Sequence, residues 1–484
     1  MKNKIKFFLI LIFVYSCSLD TKSGFWTKTE KLNNTKTKKV FVEKKVLDQE
    51  FNTQIKIKLK NKNVQNSFLN NNSNNNGTVN FVGDLKKTSK YKFKKIDNFD
   101  YLTPELSVTK SNSIIFFDNK GSILKFSSDS KLIWKKNYYS KHEKKLKPFL
   151  FMANKNNTLI VADNIAKYYA ININNGDLLW SKNNSSPFNS EIKIYKDKFL
   201  VVDFQNILRC YSIKNGKELW SIKTDQSFIK SQKKLSLVIV KDKVFFSNSI
   251  GDITSVNIES GNLEWQTPTQ SSAIYEDAFY LKTSDLITDN RSILFSNNKN
   301  EFFSLDINHG ELNWKQKINS NLRSTLVENL IFSVSMEGYL IVTDNKTGNI
   351  IRITDIFDQF KTKKKFLPSS KKVKKKNKFL PSSKYSKDKN KKRNKKSLSE
   401  KYKILPSSKY SKSKHSRLNI KPVGFILGAE NIYLTTDNGK LLIINIRTGR
   451  TSSIIKIDNN KISRPFVLNK NLFIIKDNSI IKLN

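Results

Sequence analysis

Cysteine is nearly absent from this chain: of 484 residues only Cys17 and Cys210 carry a thiol. No disulfide framework is available, so the chain must rely on its core for stability. Histidine is as scarce, and His142, His309 and His415 show no metal-ligand spacing. No CxxC, phosphate-loop, GxGxxG or GxSxG pattern stands in a supporting context, so catalytic signals are thin. Acids are short too, 41 against 88 Lys and Arg, for a formal charge of +47. Asp163, Asp203 and Asp306 fall on predicted strands or turns and read as structural. His309, beside Gly310, reads as a solvated turn residue, and Cys210 as a small buried one.

What the chain does have is a repeat. A turn residue is followed four positions later by tryptophan in Ser130–Trp134, Gly176–Trp180, Gly216–Trp220, Gly261–Trp265 and Gly310–Trp314. The tryptophans are 46, 40, 45 and 49 residues apart, the length of a four-stranded propeller blade. Each turn is preceded by alternating runs such as Lys198–Val202 and Leu208–Ile213, which read as half-buried antiparallel hairpin strands. Six residues before each glycine the side chain is mostly small or β-branched (Ala170, Cys210, Ser255, Ser304, Val342, Ile443). Crowding near a central axis would set such a size limit. The tryptophan is expected to cover the gap between adjacent blades.

Two degenerate copies follow, with Arg352 after Gly348 and Ser453 after Gly449 in the tryptophan position. The chain stops after two further strands, around Phe466–Ile475 and Ser479–Leu483, leaving a last blade that needs a strand from elsewhere. An N-terminal strand near Tyr91–Ile96 is expected to close it and remove the open edge. The predicted fold is all-β, an eight-bladed propeller over residues 91–484.

The N-terminus has a basic start and an apolar stretch, Phe7–Val14, too short to span a bilayer. Val14-Tyr15-Ser16-Cys17 resembles a bacterial lipobox, although Tyr15 departs from the usual small residue. On that reading residues 1–16 are a signal peptide and Cys17 is acylated. An ordinary secretory cleavage nearby is the alternative. Ser18 after the cysteine favours the outer membrane, and residues 17–90, rich in Asn and Lys, read as a tether. Residues 361–418 hold 22 Lys and 2 Arg against Asp388 and Glu400, with three Leu-Pro-Ser-Ser-Lys copies. This composition predicts a disordered insertion. It would attract an acidic partner or anionic lipid, unless it is a tolerated low-complexity expansion. Export argues against nucleic acid.

The turn glycine and tryptophan resemble the PQQ-type propeller repeat. Together with the lipobox and tether, the chain is similar to the BamB family of outer-membrane β-barrel assembly lipoproteins. That resemblance implies a non-enzymatic scaffold without cofactor. It would be lipid-anchored at the periplasmic face and monomeric within a larger complex. It would dock on the POTRA domains of a BamA-type barrel subunit and assist unfolded outer-membrane proteins. The family's docking loops correspond here to Phe228, Ile229 and Lys230, and to Leu281 and Asp285. Lys230 replaces an arginine, a poorer match for bidentate contacts. The alternatives are a PQQ-dependent quinoprotein dehydrogenase, whose adjacent cysteines are missing here, and a periplasmic glycan-binding lipoprotein.

Replacing Cys17 by Ala is expected to move the protein from the membrane to the soluble fraction, because each buried acyl CH₂ contributes about 0.8 kcal/mol. Unchanged membrane retention would contradict acylation at this residue.

Overall fold

The computed structural model describes residues 49–60, 64–65, 78–97, 99, 104–225, 233–269, 280–362, 416–417 and 420–484. All lie in the compact unit Val46–Asn484. Cys17, the signal segment, Phe228–Lys230 and most of the insertion fall outside the described residues. The alternating runs form eight four-stranded antiparallel sheets, in which successive strands pair in sequence order. Blades 1 to 7 span residues 107–136, 150–183, 193–223, 237–267, 287–316, 325–355 and 422–456. Blade 8 joins Phe466–Leu468, Asn471–Ile475 and Ser479–Leu483 to the N-terminal strand Lys87–Lys92.

The predicted closing strand is therefore present, shifted toward the N-terminus of Tyr91–Ile96. Its register pairs Tyr91 with Ile480. Beyond Lys92 the chain bends over the last turn, with Phe93 N donating to Asn478 O at 3.2 Å and Ile96 N to Asp477 O at 2.7 Å. Those bonds take the chain off the ladder, while Tyr91, fully buried, fixes the strand's inward face.

Adjacent blades meet through one recurring contact. The indole Nε1 of Trp134, Trp180, Trp220, Trp265 and Trp314 donates to the carbonyl of Ile173, Ile213, Ile258, Ile307 and Asn345, at 2.8–3.2 Å. Each acceptor lies three residues before the turn glycine of the following blade. The ring then rests on that glycine: a Cβ on Gly216 would sit 2.5 Å from Trp180, and one on Gly261 2.7 Å from Trp220. Both glycines also have φ near +70° (66° and 76°), which L side chains rarely adopt. The spacing thus records a contact between neighbouring blades, with the tryptophan of one blade covering the glycine of the next.

Two other side chains take over this role. Arg352, fully buried, donates from Nη2 to Ile446 O at 3.0 Å, the carbonyl three residues before Gly449. Its Nη1 also reaches Arg447 O and Ile55 O. Burial pushes this guanidinium down to about 10, with Arg450 adding to the effect. Where blade 8 meets blade 1, Tyr91 Oη donates to Ser128 O at 2.9 Å, in the turn that carries Ser130. Between blades 7 and 8, Ser453 is too short for the task, and Lys476 pairs with Asp458 there.

The small residues six before the glycine have a different cause from the expected one. Ala170, Cys210, Ser255 and Ser304 lie on third strands, directly opposite Trp180, Trp220, Trp265 and Trp314. Their size is limited by the tryptophan across the ladder, not by crowding at the axis. Blade 7 inverts the pair, with large Ile443 opposite small Ser453.

Part of the segment read as tether packs on the propeller. Phe51 and Ile353 exchange backbone hydrogen bonds at 3.1 and 2.9 Å, adding a bridge to the outer edge of blade 6. Ile57 N donates to Arg447 O, and the Ile57 side chain joins the core between blades 6 and 7. The insertion has a neck: Lys361 pairs with Arg417 and Thr362 with Ser416 in an antiparallel two-stranded sheet. Asp163 and Asp203 accept backbone N–H groups in second-to-third-strand turns. His309 is exposed in its turn, with Nδ1 3.4 Å from Asp306.

Trp220→Ala is expected to lower unfolding free energy by about 3–5 kcal/mol, and Gly261→Ala by more than about 1 kcal/mol through strain and the Trp220 clash. Urea denaturation checks both; a neutral Gly261→Ala would contradict the junction.

Candidate functional site

In each blade, the connection from the previous outer strand arrives at the start of the innermost strand. All these connections therefore share one face, and their ends converge on the axis. The insertion leaves from the same class of connection, between blades 6 and 7.

A charged residue precedes the first strand by two positions in blades 1, 3, 5, 6 and 8: Glu105, Glu191, Asp285, Arg323 and Arg464. Lys233 and Lys234 precede that of blade 4, and Lys193 begins that of blade 3. These side chains meet across the ring. Lys234 Nζ is 2.9 Å from Glu105 Oε1, although blades 4 and 1 are not neighbours. Glu105 Oε1 also lies 3.8 Å from Arg464 Nη2 and 4.0 Å from Arg323 Nη2. Arg323 donates from Nε and Nη2 to Asp285 Oδ2 at 3.0 and 2.7 Å. Lys193 faces Glu191 at 3.4 Å. Contacts linking blades 1, 4, 6 and 8 can form only at the axis, so they define its mouth on the connection face.

The cations dominate the local field. Burial pushes the Glu105 carboxyl up, but Lys234, Arg464 and Arg323 outweigh it and hold it at about 2. Burial likewise opposes ionisation of Asp285, yet Arg323, Lys234, Lys233 and Arg464 keep it well below the carboxylate range. Burial pushes Lys233 down to about 8; Asp285 opposes this and the nearby cations reinforce it. A calcium-bound quinone does not fit these residues: every axial acid named here already has a Lys or Arg within 4 Å, an arrangement that repels a second cation.

Of the docking residues expected from the sequence, Asp285 is in this axial cluster and Leu281 is buried, 2% exposed. Phe228, Ile229 and Lys230 lie outside the described residues, in the connection that ends at Lys233 and Lys234. Glu105, Lys193, Lys234, Arg323 and Arg464 were not singled out from the sequence. The usable signal was the charge recurring two residues before five of the eight first strands. A second surface runs around the circumference. On the outer strands of blades 1 to 5, Leu132, Ile133, Leu178, Leu179, Leu219, Leu263 and Leu312 are about half exposed, 45–55%.

Glu105 stabilises the fold fully above its ordinary value of 4.5, and that contribution fades as pH falls toward about 2. The melting temperature of the wild type is expected to fall more steeply between those limits than that of Glu105→Gln. Equal slopes would contradict the ion-pair assignment. Arg323→Met, which removes the hydrogen-bonded partner of Asp285 but leaves Lys233, Lys234 and Arg464 facing it, is expected to cost about 1–3 kcal/mol in urea denaturation.

The family model described as "Outer membrane protein assembly factor BamB" matches residues 119–354. Similar solved structures include BamB from Moraxella catarrhalis, at 12% identity and TM-score 0.58, covering 83% of this chain and 99% of that one. The quinohemoprotein alcohol dehydrogenase of Comamonas testosteroni aligns at 7% identity and TM-score 0.57, covering 85% and 78%. The C-terminal WD40 domain of Sif2 aligns at 9% and 0.52, covering 84% and 99%. At these identities the structural likeness is one of fold. No curated protein matches the sequence. The chain is an eight-bladed propeller, and its resemblance to the BamB family, carried in the sequence by the turn glycine and tryptophan, is upheld by the family model over the blades that contain those motifs.

Proposed function

We propose that this chain is a non-enzymatic scaffold lipoprotein of the machinery that assembles outer-membrane β-barrel proteins, anchored through Cys17 and facing the periplasm. The observation that carries the reading is the family-model match over residues 119–354, coincident with consecutive blades joined by the tryptophan contact. The connection face docks on the POTRA domains of a BamA-type subunit, with Phe228, Ile229 and Lys230 in the contact. Asp285 and Leu281 shape that face from within: Asp285 anchors Arg323 at the axis, and Leu281 packs beneath the surface.

Client binding uses the circumference. An outer strand has an unpaired edge, and an extended segment can add to it through main-chain hydrogen bonds. The chain does this to itself where Phe51 pairs with Ile353 on blade 6. The exposed leucines of blades 1 to 5 offer apolar contacts for the alternate side chains of an unfolded outer-membrane strand. The Lys-rich insertion starts from the docking face and adds electrostatic attraction to it.

Ile229→Ala/Lys230→Ala is expected to weaken binding of a purified POTRA fragment at least tenfold by calorimetry. Full affinity in the double variant would remove this loop from the interface. Deleting 363–415, whose flanks are already paired at the neck, is expected to flatten the salt dependence of that affinity. An unchanged salt series would show that the insertion takes no part.

A further inference from the structure

Among the described side chains of the axial cluster, cations outnumber acids. Lys193, Lys233, Lys234, Arg323 and Arg464 face Glu105, Glu191 and Asp285, leaving two positive charges in excess among these described side chains. Arg323 spends its Nε and Nη2 edge on Asp285. Arg464 does not have that partner. Its Nε and Nη2 are buried without a hydrogen-bond acceptor among the described residues, where the acid oxygen that pairs with it, Glu105 Oε1, stands 3.8 Å from Nη2, beyond hydrogen-bond reach. A buried donor left unsatisfied is costly, and a guanidinium edge more so. Only the base of the side chain is fixed, with its Cβ against Gly424, where an added Cβ would come within 2.5 Å, while its guanidinium lies 4.5 Å from the Phe466 ring centroid.

Solvent reaches this mouth. The side chains of Lys234, Glu105, Asp285 and Arg464 each keep 16–20% exposure. A ligand entering along the axis would meet cations from blades 4, 6 and 8 together.

We propose that the mouth of the axis on the connection face is a binding site for an oxyanion, a carboxylate or phosphate group. Arg464 presents its Nε and Nη2 edge to the group after turning from its enclosed position, and Lys234 and Arg323 flank it. Two oxygens of a carboxylate or phosphate match the two parallel N–H groups of that edge. Glu105 is the competitor: it lies among Lys234, Arg323 and Arg464, and the incoming anion takes over part of its role. The burial that pushes Arg464 down to about 10, reinforced by Arg323, is the condition an anion would relieve. The site is independent of the proposed scaffold function and is tested without a protein partner.

The test is isothermal titration of inorganic phosphate and, separately, succinate into the full-length protein, its Arg464→Leu variant and its Glu105→Gln variant. Folding of each is checked by its melting temperature. The expected result is one-to-one binding of at least one probe, weakened tenfold or more in Arg464→Leu and tightened severalfold in Glu105→Gln. Tighter phosphate assigns a tetrahedral ligand, and tighter succinate a carboxylate. The Glu105→Gln arm keeps the test decisive if Arg464→Leu does not fold. Diffuse, multi-site binding that neither substitution changes would overturn the proposal, since it would report only the basic surface.

Discussion

The ring depends on one contact, an aromatic ring from one blade lying on the turn glycine of the next while its N–H reaches a fixed carbonyl. The glycine is required twice over, by its left-handed backbone and by the indole where a Cβ would stand. A net hydrogen bond of this kind contributes about 1 kcal/mol, and burial of the indole contributes more. Repetition around the ring makes the contact decisive. It fixes the distance between neighbouring sheets, and with it the point where their first strands converge on the axis.

At two of the three junctions without tryptophan, another donor takes its place. Arg352 does so with a guanidinium long enough to reach Ile446 O, while Ile55 O accepts from its other nitrogen and Ile57 packs into the core between the same blades. Tyr91 does so from a strand that comes from the other end of the chain. These stand-ins explain how the ring closes through copies that look degenerate in sequence.

The fold was legible because glycine and tryptophan are scarce, specific residue types placed by a local turn. Tyr91 and Arg352 were not legible as junction residues, because neither resembles tryptophan outside the geometry that gives it the same reach. The small third-strand residues were recognised, but their cause was misplaced: cross-strand pairing with tryptophan is visible only once the register is known. The axial cluster was harder still. Its members come singly from separate blades, and Lys234 meets Glu105 across 129 residues of sequence. Asp285 was marked as a docking-loop residue by resemblance, whereas its partner Arg323 was not marked. The two surfaces that emerge, a charged connection face and an apolar circumference, suit a scaffold that holds one partner while receiving another.

The most direct measurement is affinity purification of the tagged, full-length protein from detergent-solubilised envelopes, with identification of co-eluting proteins by mass spectrometry. The account predicts stoichiometric recovery of a POTRA-bearing barrel protein, lost when the connection-face loop around Ile229 is replaced. Elution of the protein alone, at a yield that preserves other envelope complexes, would contradict the scaffold function.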